Sequence, residues 1–228
     1  MPATRIATTK NASGAPATTQ FISVARAAGE GLLLEIAYGY QWAPPDAIVS
    51  VVWDPTGDNQ ALTLVEDQNS NGENRNLAVY AIPACTSAKT GDVVVTFAGS
   101  DNGLVFMCIS RIAGHDVAGM IRDSAKVPGN IFHPQLSVDS EVGDLVIASM
   151  LMRQDSTVLS ADAGQSDLMV EGVGYGISLL SSIKAGAATS TTVGYLDNGT
   201  SAGPYDSALI AVSIKPGGSD TLMGQACL

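Results

Sequence analysis

The sequence is poor in charged and aromatic residues, and its few cations are scattered. Charged residues make up 14% of the 228 residues and aromatic residues 5%, whereas an average soluble protein is about 25% charged. The 11 Lys and Arg residues form no run, and 22 acidic residues give a net charge of −11. Because proteins bind nucleic-acid backbones and anionic membranes through clustered cations, neither partner is expected.

Long apolar runs and metal-ligating residues are also scarce. No stretch approaches the roughly 20 apolar residues that span a bilayer. The first six residues, Met-Pro-Ala-Thr-Arg-Ile, lack the apolar core of a signal peptide, so we expect synthesis in a cytoplasm without export. No metal-ligand spacing relates the two histidines and three cysteines, which are His115, His133, Cys85, Cys108 and Cys227. We therefore expect no metal centre and no cofactor, and thiols that are free unless Cys85 and Cys108 form a bridge.

Catalytic motifs are missing from the sequence as well. It contains no Gly-x-Ser-x-Gly elbow, no phosphate-binding glycine loop and no His-Glu-x-x-His. No catalytic residue is predicted, and we expect no enzyme activity. An esterase or glycosidase stays an alternative, because paired carboxylates come together only in the folded chain and 22 scattered acids give no way to choose two.

The sequence does contain many short β-branched segments separated by turn residues. Segments 93–98 and 104–109 flank Gly-Ser-Asp-Asn-Gly, which predicts a central β-hairpin. In the second of them both faces are apolar, so we expect chain or a neighbour to cover it on both sides. Further strands are predicted at 21–24, 32–38, 47–53, 61–65, 77–82, 135–138, 144–151, 168–170, 175–183, 190–195 and 207–214.

About a dozen short strands without a helical period predict an all-β fold. We expect one antiparallel β-sandwich of jelly-roll or Greek-key type, with flexible terminal arms. The domain is expected over residues 21–216. Residues 1–20 are predicted to be an N-terminal arm that either lies across a neighbouring subunit or is disordered, and 217–228 to be a C-terminal tail. A short helix or irregular crossover is predicted only at 117–126.

One loop has a partial calcium signature. Asp67, Asn69 and Asn71, followed by a glycine, match the opening of a calcium-binding loop. The match fails at the twelfth position, where Ala78 stands in place of a bidentate Glu. An Asn-Gly hairpin between 61–65 and 77–82 accounts for the same sequence pattern and is favoured. Asp67, Asn69 and Asn71 are therefore only weak calcium candidates.

Other loop residues are candidates for binding a receptor or glycan. Trp42, Asn198 and Tyr205 lie in predicted loops at the ends of strands, where binding residues concentrate. The low aromatic content is mildly unfavourable to a sugar-binding platform, because sugar rings stack on aromatic faces.

Four segments carry a family resemblance. They are Tyr80-Ala-Ile-Pro83, the stretch Gly-Asp-Val-Val-Val-Thr-Phe-Ala-Gly-Ser at 91–100, Gly-Asp-Leu-Val-Ile at 143–147 and Ala-Val-Ser-Ile-Lys-Pro at 211–216. Together they resemble a recurrent β-sandwich domain of tailed-bacteriophage and prophage virion proteins, over roughly residues 30–216. The resemblance implies a role in capsid decoration or in a tail or fibre module. The family has no agreed catalytic residues, so it implies none here.

These observations predict a non-enzymatic virion structural protein. We expect a capsid decoration (cement) protein that forms homo-oligomers, with a trimer as one candidate, and that binds the major capsid protein or another virion protein. Its expected location is the virion, assembled in the host cytoplasm. The alternative is a receptor- or carbohydrate-binding module of a phage tail or fibre.

Overall fold

A computed structural model describes residues 2–13, 18–39, 47–54, 56–70, 74–84, 87–99, 103–129, 133–152, 159–171, 177–197 and 207–218. Within these ranges every regular element is a strand, and all strand pairs are antiparallel. The predicted all-β antiparallel fold is therefore confirmed. The choice between jelly-roll and Greek-key connections stays a prediction. The described ranges include no helix with the length and apolarity needed to cross a membrane.

The described chain forms seventeen strands. Those of its first half are β1 (Thr4–Ser13), β2 (Thr19–Arg26), β3 (Gly31–Gly39), β4 (Ile48–Trp53), β5 (Gln60–Ala61), β6 (Thr63–Asn69), β7 (Arg75–Ile82), β8 (Lys89–Phe97) and β9 (Leu104–Ala113). Those of its second half are β10 (Ile121–Gly129), β11 (Gln135–Asp139), β12 (Leu145–Met152), β13 (Leu159–Ala161), β14 (Ser166–Glu171), β15 (Ser178–Ala185), β16 (Ser190–Asp197) and β17 (Ser207–Ile214).

The strands form four sheets, stacked as four layers. We name them, in stacking order, outer sheet 1 (β2-β8-β4-β5), inner sheet 1 (β1-β9-β3-β7-β6), inner sheet 2 (β10-β17-β12-β15-β14) and outer sheet 2 (β11-β16-β13). Three apolar clusters fill the spaces between successive layers. Trp53 lies in the cluster between outer sheet 1 and inner sheet 1, Phe106 in the cluster between the inner sheets, and Tyr195 in the cluster beneath outer sheet 2.

The inner sheets are buried on both faces, which explains their continuous apolar runs. In β9, Phe106 and Cys108 face the cluster between the inner sheets, whereas Met107 and Ile109 face outer sheet 1. Every residue of β3, β12 and β17 is buried. The prediction that segment 104–109 is covered on both sides is confirmed, and the chain's own sheets cover it.

The two halves of the chain repeat one topology. Replacing β1–β4 by β10–β13 and β6–β9 by β14–β17 converts the strand order of inner sheet 1 into that of inner sheet 2, and that of outer sheet 1 into that of outer sheet 2. Among the described strands, β5 alone has no counterpart. We call residues 4–113 the first repeat and residues 121–214 the second repeat.

Irregularities in strand pairing also recur at matching places. The edge strand β1 shifts register just after the residue opposite Ile112, and β10 shifts just after the residue opposite Ile214. The opposite edge strands, β6 and β14, shift register where they pass β7 and β15. The glycines that precede β3 and β12 both have positive φ angles, 79° at Gly29 and 98° at Gly143. These matches give a residue-by-residue correspondence between the repeats.

The repeats pack with their inner sheets face to face. β9 of the first repeat contacts β15, and reciprocally β17 of the second repeat contacts β7. β3 likewise contacts β15, and β12 contacts β7. These reciprocal contacts resemble the isologous interface of a two-fold dimer. The resemblance is partial, because β6 also contacts β10 and β17 extensively, without contacts of the same extent between β14 and β1 or β9 in the described residues.

Residues 114–120 connect the repeats and also hold the end of the second one. His115 forms an isolated bridge with Pro216. The N–H of Gly217 donates to the carbonyl of Gly114 at 2.6 Å, and the N–H of Lys215 donates to the carbonyl of Met120 at 2.9 Å. The connection and the last strand therefore fix each other.

The predicted hairpin of segments 93–98 and 104–109 is wrong, although both segments are central strands. β8 pairs with β2 and β4, whereas β9 pairs with β1 and β3 in another sheet. Val93, Val95 and Phe97 of β8 share an apolar cluster with the core-facing side of β9. The two strands face each other across a core, so burying both apolar faces takes precedence over pairing them side by side.

Two edge strands occupy segments that were predicted otherwise. The expected arm at 1–20 contains β1, which pairs with β9 of its own repeat, and the expected helix or crossover at 117–126 contains the start of β10, which pairs with β17. Backbone hydrogen bonds to a buried neighbour hold an edge strand without an apolar alternation in its sequence. β13 is a third strand that the sequence pattern does not indicate.

The other predicted strands lie at described strands, with shifted ends. Segment 61–65 is divided between β5 and β6. The described part of segment 175–183 contains β15 from Ser178, and residues 175 and 176 lie outside the described residues. The pairing of β6 with β7 confirms that the favoured hairpin joins these two strands, and its turn at 71–73 lies outside the described residues. The extent of a single domain at 21–216 stays a prediction, and residues 219–228 of the predicted tail lie outside the described residues.

Candidate functional site

An apolar row crosses the solvent-facing side of outer sheet 1. Ile22, Val51 and their neighbours point into the core, so the alternate residues point outward. The pairing places Phe21 of β2 beside Val94 of β8, Val94 beside Val52 of β4, and Val52 beside Ala61 of β5. These four side chains form one continuous line across four strands, which we call the apolar row.

The apolar row is accessible to solvent. Phe21 is 62% exposed, Val94 and Val52 are half-buried, and Ala61 is exposed. Val49, at a register shift in β4, is 65% exposed on the same strand. The outward residues beside the row are small or polar, among them Thr19, Ser23, Ala25, Ser50 and Thr96. Asp92 is the only ionisable side chain among the outward-facing described residues of these strands.

The corresponding line in the second repeat is polar. By the correspondence between repeats, Gln135, Gly194 and Asp162 occupy the places of Phe21, Val94 and Val52. Gln135 Nε2 donates to Asp162 Oδ2 at 2.6 Å, and His133 Nε2 lies 2.6 Å from Asp162 Oδ1. Leu196, 42% exposed, is the one large apolar residue exposed on this sheet in the described ranges. The apolar character of the row is therefore not shared by the second repeat.

A second cluster of interest is a polar group buried between the inner sheets. The carboxylate of Glu35 is fully buried and accepts hydrogen bonds from Ser149 Oγ and Ser181 Oγ, both at 2.8 Å. Arg5 Nη2 donates to Ser181 Oγ at 2.6 Å and lies 4.0 Å from Glu35 Oε1. Since Glu35 and Ser149 occupy corresponding positions of the two repeats, this cluster joins the repeats near their two-fold-like axis.

Cys108 borders this buried cluster and is a free thiol. Its burial, together with the nearby Glu35 carboxylate, raises the pKa of the thiol well above its ordinary value. The thiolate is the reactive form of cysteine. Cys108 is therefore suited to packing and not to nucleophilic chemistry. Cys85 and Cys227 lie outside the described residues.

A buried acid closes the turn before β3 and β12 in each repeat. Glu30 Oε2 accepts the N–H of Ala27, and Asp144 Oδ2 accepts the N–H of Glu141. A hydrogen bond from Arg111 is the main cause that lowers the pKa of Glu30. Burial alone would raise the pKa of Asp144, but hydrogen bonds from Arg122, Glu141 and Ser213 outweigh burial and lower it.

Asp54, Lys89 and His115 also make local contacts. Lys89 bonds to Asp54 and, at 3.0 Å, to Asp58, and its hydrogen bond lowers the pKa of Asp54. His115 Nδ1 lies 3.1 Å from the carbonyl of Ile112, and burial lowers the pKa of its ring. Within the described ranges, no three His, Cys, Asp or Glu side chains converge to hold a metal ion.

Among the described residues, open grooves lie at two sheet edges. One of about 490 Å³ runs between β6 and the start of β10 and is lined by Leu64, Val65, Pro83, Met120 and Ile121 among others. The other, about 400 Å³, is lined by Asp123, Asp139, Glu141 and Arg122. Arg122 in the second groove is bonded to Asp144, with Nε 2.6 Å from Oδ2. It therefore serves the turn before β12.

The structure places only some of the site residues predicted from the sequence. Asp67 and Asn69 lie exposed on β6, and the carbonyl of Asp67 accepts a hydrogen bond from Lys126 Nζ at 2.9 Å. Asn71, Trp42, Asn198 and Tyr205 lie outside the described residues. The calcium candidates therefore stay weak ones, and loop-mediated receptor or glycan binding stays the alternative prediction.

Comparison with known proteins adds no family. No protein-family model, no curated protein and no solved structure matches this chain.

The sequence analysis missed the apolar row. Each member is an ordinary strand residue, and nothing in the sequence alone tells which face of a short strand is turned to solvent. The contrast between the repeats becomes visible only when strand pairing aligns them, because that alignment sets Phe21 against Gln135 and Val52 against Asp162.

Proposed function

We propose that the chain is a non-enzymatic structural protein of a phage-type virion, specifically a capsid decoration (cement) protein. It forms homo-oligomers, with a trimer as one candidate, and binds the major capsid protein or another virion protein. It is assembled into the particle in the host cytoplasm. The family resemblance of four segments motivates the virion assignment.

One observation carries the structural role, namely the apolar row on an otherwise charge-poor outer sheet. A sheet face with an exposed phenylalanine and valines is typical of a surface that contacts another protein. The second repeat, built on the same topology, has polar residues at the corresponding positions, so the apolar character is a property of this one face.

The ionisable clusters support the same role. Glu30, Asp144 and Asp54 each close a turn and bond to a cation, and Glu35 joins the inner sheets. Their chemistry serves the rigidity of the stack. A cement protein needs such rigidity because it holds capsid subunits in fixed positions.

The proposal is tested by binding to particles. Purified protein is mixed with phage-type capsids from which their decoration protein has been left out, and the particles are sedimented. We expect co-sedimentation that saturates at a fixed ratio to capsid subunits, and a higher temperature of particle disruption after binding. Bovine serum albumin, mixed with the same particles and sedimented in the same way, measures non-specific co-sedimentation.

Two outcomes would contradict the proposal. One is the absence of saturable binding to such particles. The other is glycan-array binding without particle binding, which would favour the receptor- or carbohydrate-binding module of a tail or fibre.

A further inference from the structure

We propose that His115 is an acid-sensitive switch that holds the junction between the two repeats closed near neutral pH and lets it open when the solution is acidified. The junction consists of residues 114–120, which connect the repeats, together with residues 215–217, which follow the last strand. This switch is a property of the fold and does not depend on the proposed virion role. It is built from the position of the imidazole ring and the backbone bonds around it.

The ring of His115 lies in a buried pocket at the start of β3. Only 4% of the residue is exposed. A Cβ atom added to Gly31 would lie 3.0 Å from the Cε1 atom of the ring, 2.6 Å from Met120 Sδ and 2.5 Å from the carbonyl oxygen of Pro83. Glycine alone therefore leaves space for the ring here, and these three neighbours carry no charge.

The second repeat fills the corresponding place in another way. Strand pairing sets Gly31 opposite Ile112 and Leu145 opposite Ile214, so Leu145 corresponds to Gly31. Leu145 is buried in the apolar cluster between the inner sheets. A titratable ring therefore covers the first repeat at a place where the second repeat has an ordinary apolar side chain.

Hydrogen bonding fixes the neutral tautomer of the ring. Nδ1 lies 3.1 Å from the carbonyl oxygen of Ile112. Because a carbonyl oxygen can only accept, Nδ1 carries the hydrogen and Nε2 is the unprotonated atom. Nε2 is buried and makes no well-formed hydrogen bond within the described ranges. Uptake of a proton would therefore place a positive charge in the buried pocket, where water cannot solvate it.

The charges around the ring do not compensate for its burial. Arg26 of β2 repels a protonated ring, and Asp116 of the junction attracts it. The carboxylate of Glu30, in the turn before β3, accepts two hydrogen bonds from Arg111, both at 2.8 Å. Lys215 adds a further cation to the junction. Burial lowers the pKa of the ring and outweighs the favourable effects of the neighbouring carbonyls and of Asp116.

The backbone around the ring couples it to both sides of the junction. The N–H of Gly217 donates to the carbonyl of Gly114 at 2.6 Å, and the N–H of Asp116 donates to the carbonyl of Lys215 at 3.1 Å. These two bonds flank His115, whose own backbone bridges to residue 216. A ring that leaves its pocket to reach water therefore disturbs the bonds that hold the connection to the end of the last strand. Such an opening is local, because it leaves the sheets in place.

The direction of the switch follows from the lowered pKa. A histidine in water has a pKa of about 6.5, and burial lowers the pKa of His115 in the closed junction. The open junction therefore binds the proton more tightly than the closed one. Closure is fully favoured above about pH 6.5 and is weakened as pH falls below that value. This range lies above the pH of about 4 at which carboxylates take up protons.

The test is hydrogen exchange of the full chain, followed by mass spectrometry, at about pH 7.5 and about pH 5.5, on either side of the ordinary histidine pKa. The protection factor of each segment is the intrinsic exchange rate at that pH divided by the measured rate. Since opening lets one proton bind, we expect the protection factors of residues 114–120 and 215–217 to fall about tenfold between the two pH values. Those of β3 and β12, inside the inner sheets, should change little.

His115→Asn separates the charge of the ring from its hydrogen bond. An asparagine amide can donate to the Ile112 carbonyl as Nδ1 does, but it cannot take up a proton. The protection factors of its junction should therefore be the same at both pH values. His133→Asn is the matched control, because His133 is the other histidine of the chain and lies beside Asp162, outside the junction. It should show the same fall as wild type.

Three results would overturn the inference. The first is a wild-type junction with equal protection at both pH values, and the second is a fall of the same size in His115→Asn. The third is a His115 ring that titrates in the folded wild-type chain at the ordinary pKa of about 6.5, measured by nuclear magnetic resonance, with His133→Asn used to assign the two ring signals. This last measurement requires no change at His115, so it decides the matter even if His115→Asn does not fold.

Discussion

Glu35 connects the two repeats through a buried carboxylate, and its charge should matter more than its volume. Glu35→Gln keeps the shape of the side chain but removes the negative charge that lies 4.0 Å from Arg5 Nη2. Breaking a buried ion pair by removing one partner's charge typically costs about 3–5 kcal/mol. We expect a loss of that order in the free energy of unfolding, measured by urea denaturation.

Two further variants separate the charge from the hydrogen bonds. Ser149→Ala removes one hydrogen bond to the Glu35 carboxylate and should cost about 1.5–3 kcal/mol. Replacing both Arg5 and Glu35 by Met removes both charges and should cost less than Glu35→Gln alone. A Glu35→Gln protein as stable as wild type would show that the buried pair contributes nothing to stability.

Glu30 and Asp144 should make the fold sensitive to acid. Both have pKa values lowered in the folded chain, so the unfolded chain takes up their protons more readily. Their contribution is complete above the unfolded pKa of about 4 and is lost as pH falls through the lower folded pKa. Stability should therefore decrease as pH drops below about 4.

The variants Glu30→Gln and Asp144→Asn test whether these two carboxylates cause the loss of stability at low pH. Each should be less stable than wild type at neutral pH, with a difference that shrinks as the solution becomes more acidic. Ser213→Ala, which removes one of several hydrogen bonds to Asp144, should show a smaller change of the same kind. The measurement is urea unfolding at a series of pH values. A difference from wild type that does not vary with pH would contradict the expectation.

The sequence could predict some single residues and not others. Glu30 and Asp144 share a recognisable sequence pattern. Each follows a glycine and directly precedes a strand, β3 or β12. The burial of Glu35 could not be predicted, since a Glu in a strand is normally assigned to a solvent-facing position. Its partners Ser149 and Ser181 lie more than a hundred residues away in the chain, and no local pattern links them.

At the scale of elements, the matching turns before β3 and β12 depend on glycine. Gly29 and Gly143 have φ angles of 79° and 98°, and an added Cβ would meet no atom closer than 3.5 Å at either position. Replacement by Ala should therefore cost only the backbone strain, about 1–2 kcal/mol. Thermal or urea unfolding measures the loss.

Gly119→Ala is the matched control for these two variants. Gly119 has no positive φ angle, and the nearest atom to an added Cβ, Lys215 Nζ, is 3.7 Å away. Alanine there should be neutral or slightly stabilising, because it restricts the unfolded chain. Equal losses at Gly29, Gly143 and Gly119 would contradict the assignment of the cost to the left-handed conformation.

The sequence predicted most strands but not how they pair. Apolar alternation marks β2, β8 and β16 because one face of each is buried, and continuous apolar runs mark β3, β9 and β12 because both faces are. Pairing depends on where distant segments pack. The sequence therefore predicts a hairpin of β8 and β9, whereas β8 belongs to outer sheet 1 and β9 to inner sheet 1. Edge strands such as β1 and β10 were not predicted because they contain few large apolar residues, and backbone pairing with a buried neighbour supplies much of their attachment.

At the scale of the whole molecule, the two repeats should unfold together. The cluster between the inner sheets includes large buried residues from both repeats, such as Phe106 and Ile147. Trp42 and Trp53 both precede residue 114, so tryptophan fluorescence reports on the first repeat, whereas far-ultraviolet circular dichroism reports on both. We expect the two signals to change at the same urea concentration.

A variant in the second repeat sharpens this test. Ile210→Ala lies in the cluster between the inner sheets and should cost about 2–5 kcal/mol. It should lower the urea concentration at the midpoint of the tryptophan-fluorescence transition, although residue 210 lies far from both tryptophans in sequence. Val193→Ala, in the cluster beneath outer sheet 2, should lower that midpoint too if the stack is cooperative. Fluorescence midpoints unchanged by both variants would show that the repeats unfold independently.

The order of layers could not be predicted from the sequence. An apolar residue has the same character whether its partner lies in the same sandwich or in the other repeat, so the strand pattern alone fits one sandwich as well as a stack of four sheets. The duplication is visible in strand order, matched register shifts and matched glycines, while few side chains are identical at corresponding positions.

The seven residues between Ala113 and Ile121 change the molecularity of assembly. They tether two halves that would otherwise have to find each other by diffusion, and so make their encounter a first-order process with a high effective concentration. A newly made chain can complete its four layers at any level of expression. Only the later meeting of whole chains remains governed by how many copies a cell has made.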